Sequence, residues 1–366
     1  MTELADCSTI DFGAERWERV RDAHRLWWDG ELGRPLIQMR LGGAEAPRPE
    51  PALPSHNFIP FYDDAVSAAE IVDRWDYDLT TTHFLGDAYP HIWPDFGPGV
   101  AAAFSGARLE CGNRTVWFHP EKEEGIAELT LELNPSAKWF KRIADIMETA
   151  VAFWQGQVQV GMTDLGGNLD IVSTFRPSEA LLFDLYDNPE AVKARTWDAH
   201  RLWWDSFEAF NRLLQPANPG YTCWTPVFSE TPYYILQCDF CYMIGPEMFD
   251  EFVKPELAKT CEKLSHSIYH LDGPGELTHL DSLLEIEALD GVQWIPGDGA
   301  KPISEWPEVY RKISDAGKNI QLFGSLSDLA AIVEQTGRAD NIVLIANDSI
   351  ENRPAIEAEL ARYGAM

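Results

Sequence analysis

The sequence has no run of about 18 apolar residues, so no segment reads as a membrane-spanning helix. Its first twenty residues, MTELADCSTIDFGAERWERV, lack the basic stretch and apolar core of a secretory leader, which predicts a cytoplasmic protein. Basic residues are scarce: 29 Lys and Arg stand against 59 Asp and Glu, a net charge of −30. No basic tail offsets that charge, which argues against nonspecific binding to nucleic acid or to anionic membranes. Cysteine is sparse as well. Six residues, at positions 7, 111, 223, 238, 241 and 261, are too irregularly placed for a disulfide framework, and reduced thiols are the expectation. The Cys238-Asp-Phe-Cys241 pair has no second pair of matching spacing, so it reads as buried thiols rather than half of a structural zinc site.

Aromatics are plentiful. Fourteen tryptophans in 366 residues, with 45% hydrophobic residues overall, suit a sizeable core, and some could wall a pocket for an aromatic, a sugar or a cationic group. Along the chain, apolar β-type runs alternate with helical patterns. Strands are predicted at 35–41, 77–84, 157–165, 220–228, 267–271, 291–295, 319–324 and 341–347. Helices are predicted at 14–33, 65–75, 137–155, two within 177–214, 246–264, 277–286, 303–316 and 326–336. Residues 103–134 alternate in a way that suggests a small antiparallel insertion. Eight strands alternating with helices indicate an α/β fold, a (β/α)8 TIM barrel with an N-terminal helical extension, in one domain spanning 1–366. An open doubly wound sheet is the alternative. The octapeptide DAHRLWWD occurs at 22–29 and 198–205 without flanking similarity, so it reads as a shared helix-packing solution, with a trace of half-barrel duplication or a paired interface that would allow a homodimer as the alternatives.

In a barrel, ligands meet the residues at strand C-termini. Those positions offer His83, Asp87 and Tyr89; Asp164 and Asn168; Trp224, Thr225, Ser229 and Glu230, then Gln237, Cys238 and Asp239; Tyr269, His270 and Asp272; Gln293, Trp294 and Asp298; Ser325; and Asn347 with Asp348. Acids and amides dominate, and arginine is almost missing, which tells against a substrate bearing many phosphates or carboxylates. His270-Leu-Asp272 places two titratable side chains on one face of a strand end, as metal ligands or as a base with its orienting acid. The plainer reading is a backbone-bonded histidine and an aspartate capping the Gly-Pro-Gly turn. Asp164 before Gly-Gly and Asp87 in GDAYP read as site acids or as turn caps.

HLDGPG at 270–275, followed by LDGVQWIPGDG at 289–299, resembles the uroporphyrinogen decarboxylase superfamily, as do PSEALLFDLYDNPEAV and CDFCYMIGPEMFDEFVKPEL. The resemblance runs from about residue 70 to 350 and implies a (β/α)8 barrel with its site at the strand C-termini. The porphyrinogen decarboxylases carry an arginine-rich first-strand segment; here PLIQMRLGG has only Arg40, and Asp87 is the nearest counterpart of their essential aspartate. The cobalamin-dependent methyltransferases of the superfamily bind zinc through His-x-Cys after strand five and a cysteine near the end of strand eight. His270 matches the first ligand, Asp272 stands where the first cysteine would be, and Asn347 where the second would be. The resemblance therefore implies a harder, oxygen-rich site for zinc or another divalent ion. The expected activity is methyl transfer between a small methylated substrate and a corrinoid carried by a partner protein. His270, Asp272, Asp87 and Asp164 are the expected catalytic residues. Tyr269, Gln237, Asp239, Trp224, Trp294 and Asn347 are expected around the substrate. A metal-independent decarboxylase or lyase, and a non-catalytic barrel that binds a small molecule or docks a corrinoid protein, are the alternatives.

Overall fold

The computed structural model describes residue 8 and residues 10–366; Cys7 lies outside them. Eleven strands occur among the described residues: β1 (Leu36–Gly42), β2 (Thr82–Gly86), β3 (His91–Ile92), β4 (Arg108–Cys111), β5 (Val116–His119), β6 (Gln159–Val160), β7 (Tyr233–Leu236), β8 (His266–Asp272), β9 (Gly291–Ile295), β10 (Asn319–Phe323) and β11 (Ile342–Ser349). The helices are α1 (Ala14–Trp28), α2 (Ala68–Thr80), α3 (Ala101–Phe104), α4 (Lys138–Trp154), α5 (Asn168–Phe175), α6 (Ser178–Asp187), α7 (Pro189–Leu214), α8 (Pro246–Phe252), α9 (Lys254–Lys263), α10 (Leu280–Leu284), α11 (Pro307–Asp315), α12 (Leu326–Thr336) and α13 (Arg353–Tyr363). None is long and apolar enough to cross a membrane.

The architecture is mixed α/β around a seven-stranded sheet in the order β2-β1-β11-β10-β9-β8-β7. Every neighbouring pair in it is parallel except β1 with β2. Ile342–Ala346 are buried without a break, as expected of a parallel strand covered on both faces. The helices begin and end on local signals. Ser67 with Glu70 and Ser325 with Asp328 form reciprocal capping boxes, and Gly337 and Gly364 close α12 and α13 in the left-handed conformation.

Three sequence expectations differ from the structure. The second predicted strand, 77–84, is mostly the last turn of α2, and the strand that follows, β2, lies antiparallel on β1. The fourth, 220–228, forms a single bridge between Tyr221 and Ser229; the strand that joins the sheet is β7. The helix expected over 246–264 is broken at Val253 into α8 and α9 by Pro255, whose ring cannot continue a helix from behind. The antiparallel insertion exists as the β4–β5 hairpin, while 126–131 is irregular.

β3 and β6 form a separate parallel pair. The chain beyond β6 is tied to β7 by side chain rather than by a ladder: the Tyr234 hydroxyl accepts from Leu165 N at 2.8 Å and donates to Thr163 O at 3.2 Å. At the N-terminal end of the parallel strands, α1 packs across the sheet. Trp28 stacks on His266, the first residue of β8, with ring centroids 4.3 Å apart, and donates to Phe228 O at 2.9 Å. The two copies of DAHRLWWD sit in α1 and α7, and each places its adjacent tryptophans edge to face.

Candidate active site

β8 delivers His270 and Asp272 to the same face, because strand side chains alternate, and then turns at Gly273 with φ +82°, a conformation that glycine adopts without steric cost. β7 ends at Leu236, and the 3-10 turn Asp239–Met243 folds back over it, bringing Asp239 to the same place. One ligand atom each from Asp239, His270 and Asp272 lies within 4.8 Å of the other two. His270 Nε2 stands 3.9 Å from Asp272 Oδ2. Trp224 and the imidazole meet edge to face, with ring centroids 5.1 Å apart at 87°. On the neighbouring strand Gln293 is in register with His270, and its Oε1 lies 2.5 Å from Nδ1.

One imidazole and two carboxylates make a donor set suited to a divalent ion of intermediate hardness such as zinc or manganese. The thiols are elsewhere. Cys238 and Cys241 are buried, and burial pushes both thiols up, well out of the thiolate range at neutral pH. The cluster thus fits a divalent ion through Asp239, His270 and Asp272, and does not fit a thiolate centre.

More acids crowd the same end of the sheet. Asp164 is buried, and desolvation, with Asp239 nearby, raises its pKa to about 8; its Oδ1 accepts from Gly166 N at 2.9 Å. Gly166 is at φ +78°, and a Cβ there would sit 2.5 Å from Gly99 Cα, so the Gly-Gly stop serves close backbone packing. Asp170 is raised to about 7 by burial and by Asp239, and it accepts the backbone N–H groups of Asp239 (3.1 Å) and Phe240 (2.8 Å). Glu276 is raised to about 9 by burial and then by Asp239, and accepts from Asp272 N at 3.3 Å. Asp95 is raised to about 7 by burial. Asp239 is itself raised by burial, with His270 opposing.

Since these carboxyls hold protons more tightly folded than unfolded, their contribution to stability is fully present below about pH 4 and is lost as pH rises through about 7 to 9. Asp164→Asn should flatten that slope. The metal-free variant should be more stable than wild type at pH 8 by about 5 kcal/mol and close to it near pH 4, as read by urea unfolding. Equal slopes in the two proteins would show that Asp164 is ionised at neutral pH.

The other expected residues divide. Asp164 and Trp224 join the cluster electrostatically or by contact, and Asp239 enters it directly. Gln237, just past the end of β7, is buried with Oε1 unpaired. Asn347 is exposed at the end of β11, paired in register with Arg40. Trp294 does not line the site: it alternates with Gln293, so it faces the helix layer, where it is fully buried against Trp306. Tyr269 likewise alternates with His270 and is buried behind the strand near Cys241 and Glu276.

Asp87 is far from its expected role. It grips Arg34 with both oxygens at 2.7 and 2.8 Å and accepts from Ile37 N at 2.9 Å, at the N-terminal end of β1. An open cavity of about 830 Å³ lies at that end, lined in part by Arg34, Asp87 and Arg353.

The sequence reading missed Asp95, Asp170 and Glu276. Glu276 follows Asp272 by four residues, just after the Gly-Pro-Gly turn, a spacing that could have drawn attention to it. Asp170 lies in the first turn of α5 and gives no such signal.

No protein-family model matches the sequence, and no curated protein does. Among solved structures, the chain is similar to a methyltransferase from Methanosarcina mazei, with a TM-score of 0.53 and 11% identity over 75% of this chain and 80% of that one. At that identity the similarity bears on the fold.

Proposed function

We propose that the chain is a single (β/α)8 barrel domain in which β3, β6 and their side-chain ties complete the circle begun by the seven-stranded sheet, and that it transfers a methyl group from a small methylated substrate. The observation that carries this reading is the Asp239–His270–Asp272 cluster beside Trp224, at the end of the strands where barrels bind ligands. The fold shared with a methyltransferase agrees with it. A corrinoid on a partner protein is the proposed methyl acceptor, and zinc or manganese the proposed ion.

A divalent ion supplies Lewis acidity towards the heteroatom that bears the methyl group. Asp239, His270 and Asp272 would hold it. Trp224 provides an aromatic wall that excludes water beside His270. Asp164 and Glu276 retain protons near neutral pH and can return one to the heteroatom that loses its methyl group. Arg40, half-buried on β1 with its Nε–H covered and unpaired, supplies a positive charge for an anionic group.

The test is equilibrium dialysis against zinc and manganese, combined with demethylation of a panel of methylated amines, thiols and ethers using cob(I)alamin as acceptor. Asp239→Asn should weaken metal binding about 10-fold or more and lower turnover in parallel. The protonated Asp164 and Glu276 also favour a second reading, a metal-independent lyase that uses one of them as general acid. Turnover by protein stripped of metal would establish that reading and overturn the first.

A further inference from the structure

Three polar side chains stand side by side on adjacent parallel strands. His270 on β8 is in register with Gln293 on β9, and Gln293 with Gln321 on β10. Both glutamines are essentially inaccessible to solvent, at 0% and 1% exposed. Only one of the available hydrogen bonds is made in the row, between His270 Nδ1 and Gln293 Oε1 at 2.5 Å. Gln293 Nε2 and both amide atoms of Gln321 are buried without partners. Buried amides left unpaired are costly, so three such atoms beside one another need an explanation.

We infer that Gln293 is a positioning residue for His270, and that an amide relay from Gln321 through Gln293 holds the imidazole in the tautomer protonated at Nδ1. With Oε1 towards His270, Gln293 presents Nε2 to its other neighbour, Gln321, whose Oε1 is a free acceptor. Because the two glutamines are in register on adjacent strands, the inferred chain is one in which Nδ1–H donates to Gln293 Oε1 and Gln293 Nε2–H, unpaired in the structure, turns to donate to Gln321 Oε1. Two of the three unpaired atoms are thereby satisfied, and bonds in such a row polarise one another. The reversed amide would place a proton on Nε2, pointing at the carboxylates. Asp272 does not claim that proton, because Nε2 to Oδ2 at 3.9 Å is beyond hydrogen-bond range. The relay leaves the Nε2 lone pair facing Asp239 and Asp272. That is the form of histidine a metal ion requires, with the opposite ring nitrogen anchored by its N–H. The inference rests on the proposed metal site for its purpose, but the tautomer is a property of the metal-free protein.

The experiment is heteronuclear NMR of isotope-labelled histidine in the full chain, stripped of metal and held at about pH 8. The His270 signals are assigned by their loss in His270→Gln. Wild type should show Nδ1–H alone. Gln293→Leu, close to isosteric and checked for folding by circular dichroism, should shift His270 towards Nε2–H and weaken zinc binding about 10- to 100-fold. Gln321→Leu should give part of the same tautomer change. Gln293→Glu, which keeps an acceptor at that position, should restore both the tautomer and most of the zinc affinity. Nε2–H in wild type, or a His270 spectrum unchanged in Gln293→Leu, overturns the relay. If the tautomer behaves as expected and wild type binds no zinc, the relay stands and the metal-dependent reading of the site falls.

Discussion

Replacing His270 with alanine should lower the affinity for zinc or manganese by more than about 100-fold while leaving the protein folded. The cluster has one nitrogen donor, and without it two carboxylates remain, Asp272 half-buried at the end of β8 and Asp239 exposed on the turn after β7. Truncating the ring also removes the surface that Trp224 packs on, so the indole loses its fixed position. The cost to stability is modest, because His270 is only partly buried and Gln293, its one hydrogen-bond partner, can turn to Gln321. Isothermal titration with the two ions, beside thermal melts without metal, reads both effects. Unaltered affinity would place the metal elsewhere and remove the basis for methyl transfer at this site.

Asp87→Ala should behave in the opposite way, destabilising the fold by about 3–5 kcal/mol and leaving metal affinity unchanged. The carboxylate is 6% exposed, binds the Arg34 guanidinium with both oxygens and also accepts the Ile37 N–H. Its removal leaves the Arg34 cation without its counter-ion, holding only Pro35 O, and the Ile37 N–H without its acceptor, which is the costly way to break an ion pair. Urea unfolding measures the loss. A decrease in metal affinity of the same size as in the Asp239 variant would bring Asp87 back to the site.

The error over Asp87 has a simple physical origin. The sequence reads as a strand ending in Gly-Asp, and in a parallel sheet that end faces ligands. β2 runs antiparallel to β1, so its C-terminal end lies at the base of the sheet, where Asp87 meets Ile37. Strand direction is a tertiary property that apolar patterning does not encode. By contrast, β9 and α12 match their expected limits, because a short β-branched run and a Ser-x-x-Asp cap are local signals. The expected strand at 220–228 failed for a similar reason to Asp87: an apolar run says that a segment is buried, not what it pairs with. His270 and Asp272 were legible because a strand and a glycine turn frame them. Asp239 was legible only as one polar residue in a loop, and its place beside them depends on how the Asp239–Met243 turn folds back. Trp294 and Tyr269 show the limit of reading strand ends as a whole, since the period of two sends every other residue to the helix layer.

β1 is paired with β11 over seven residues, so the first strand of the sheet takes one edge from the last. During synthesis that edge has no partner until β11 has been made, and closing so long a loop is slow. β2, laid antiparallel on the other edge of β1, halves the unpaired backbone that a nascent chain would present to its neighbours. Truncation within β11 therefore does more than shorten the chain: it returns β1 to an open, sticky edge, and such products should be recovered from aggregates rather than as shortened soluble proteins.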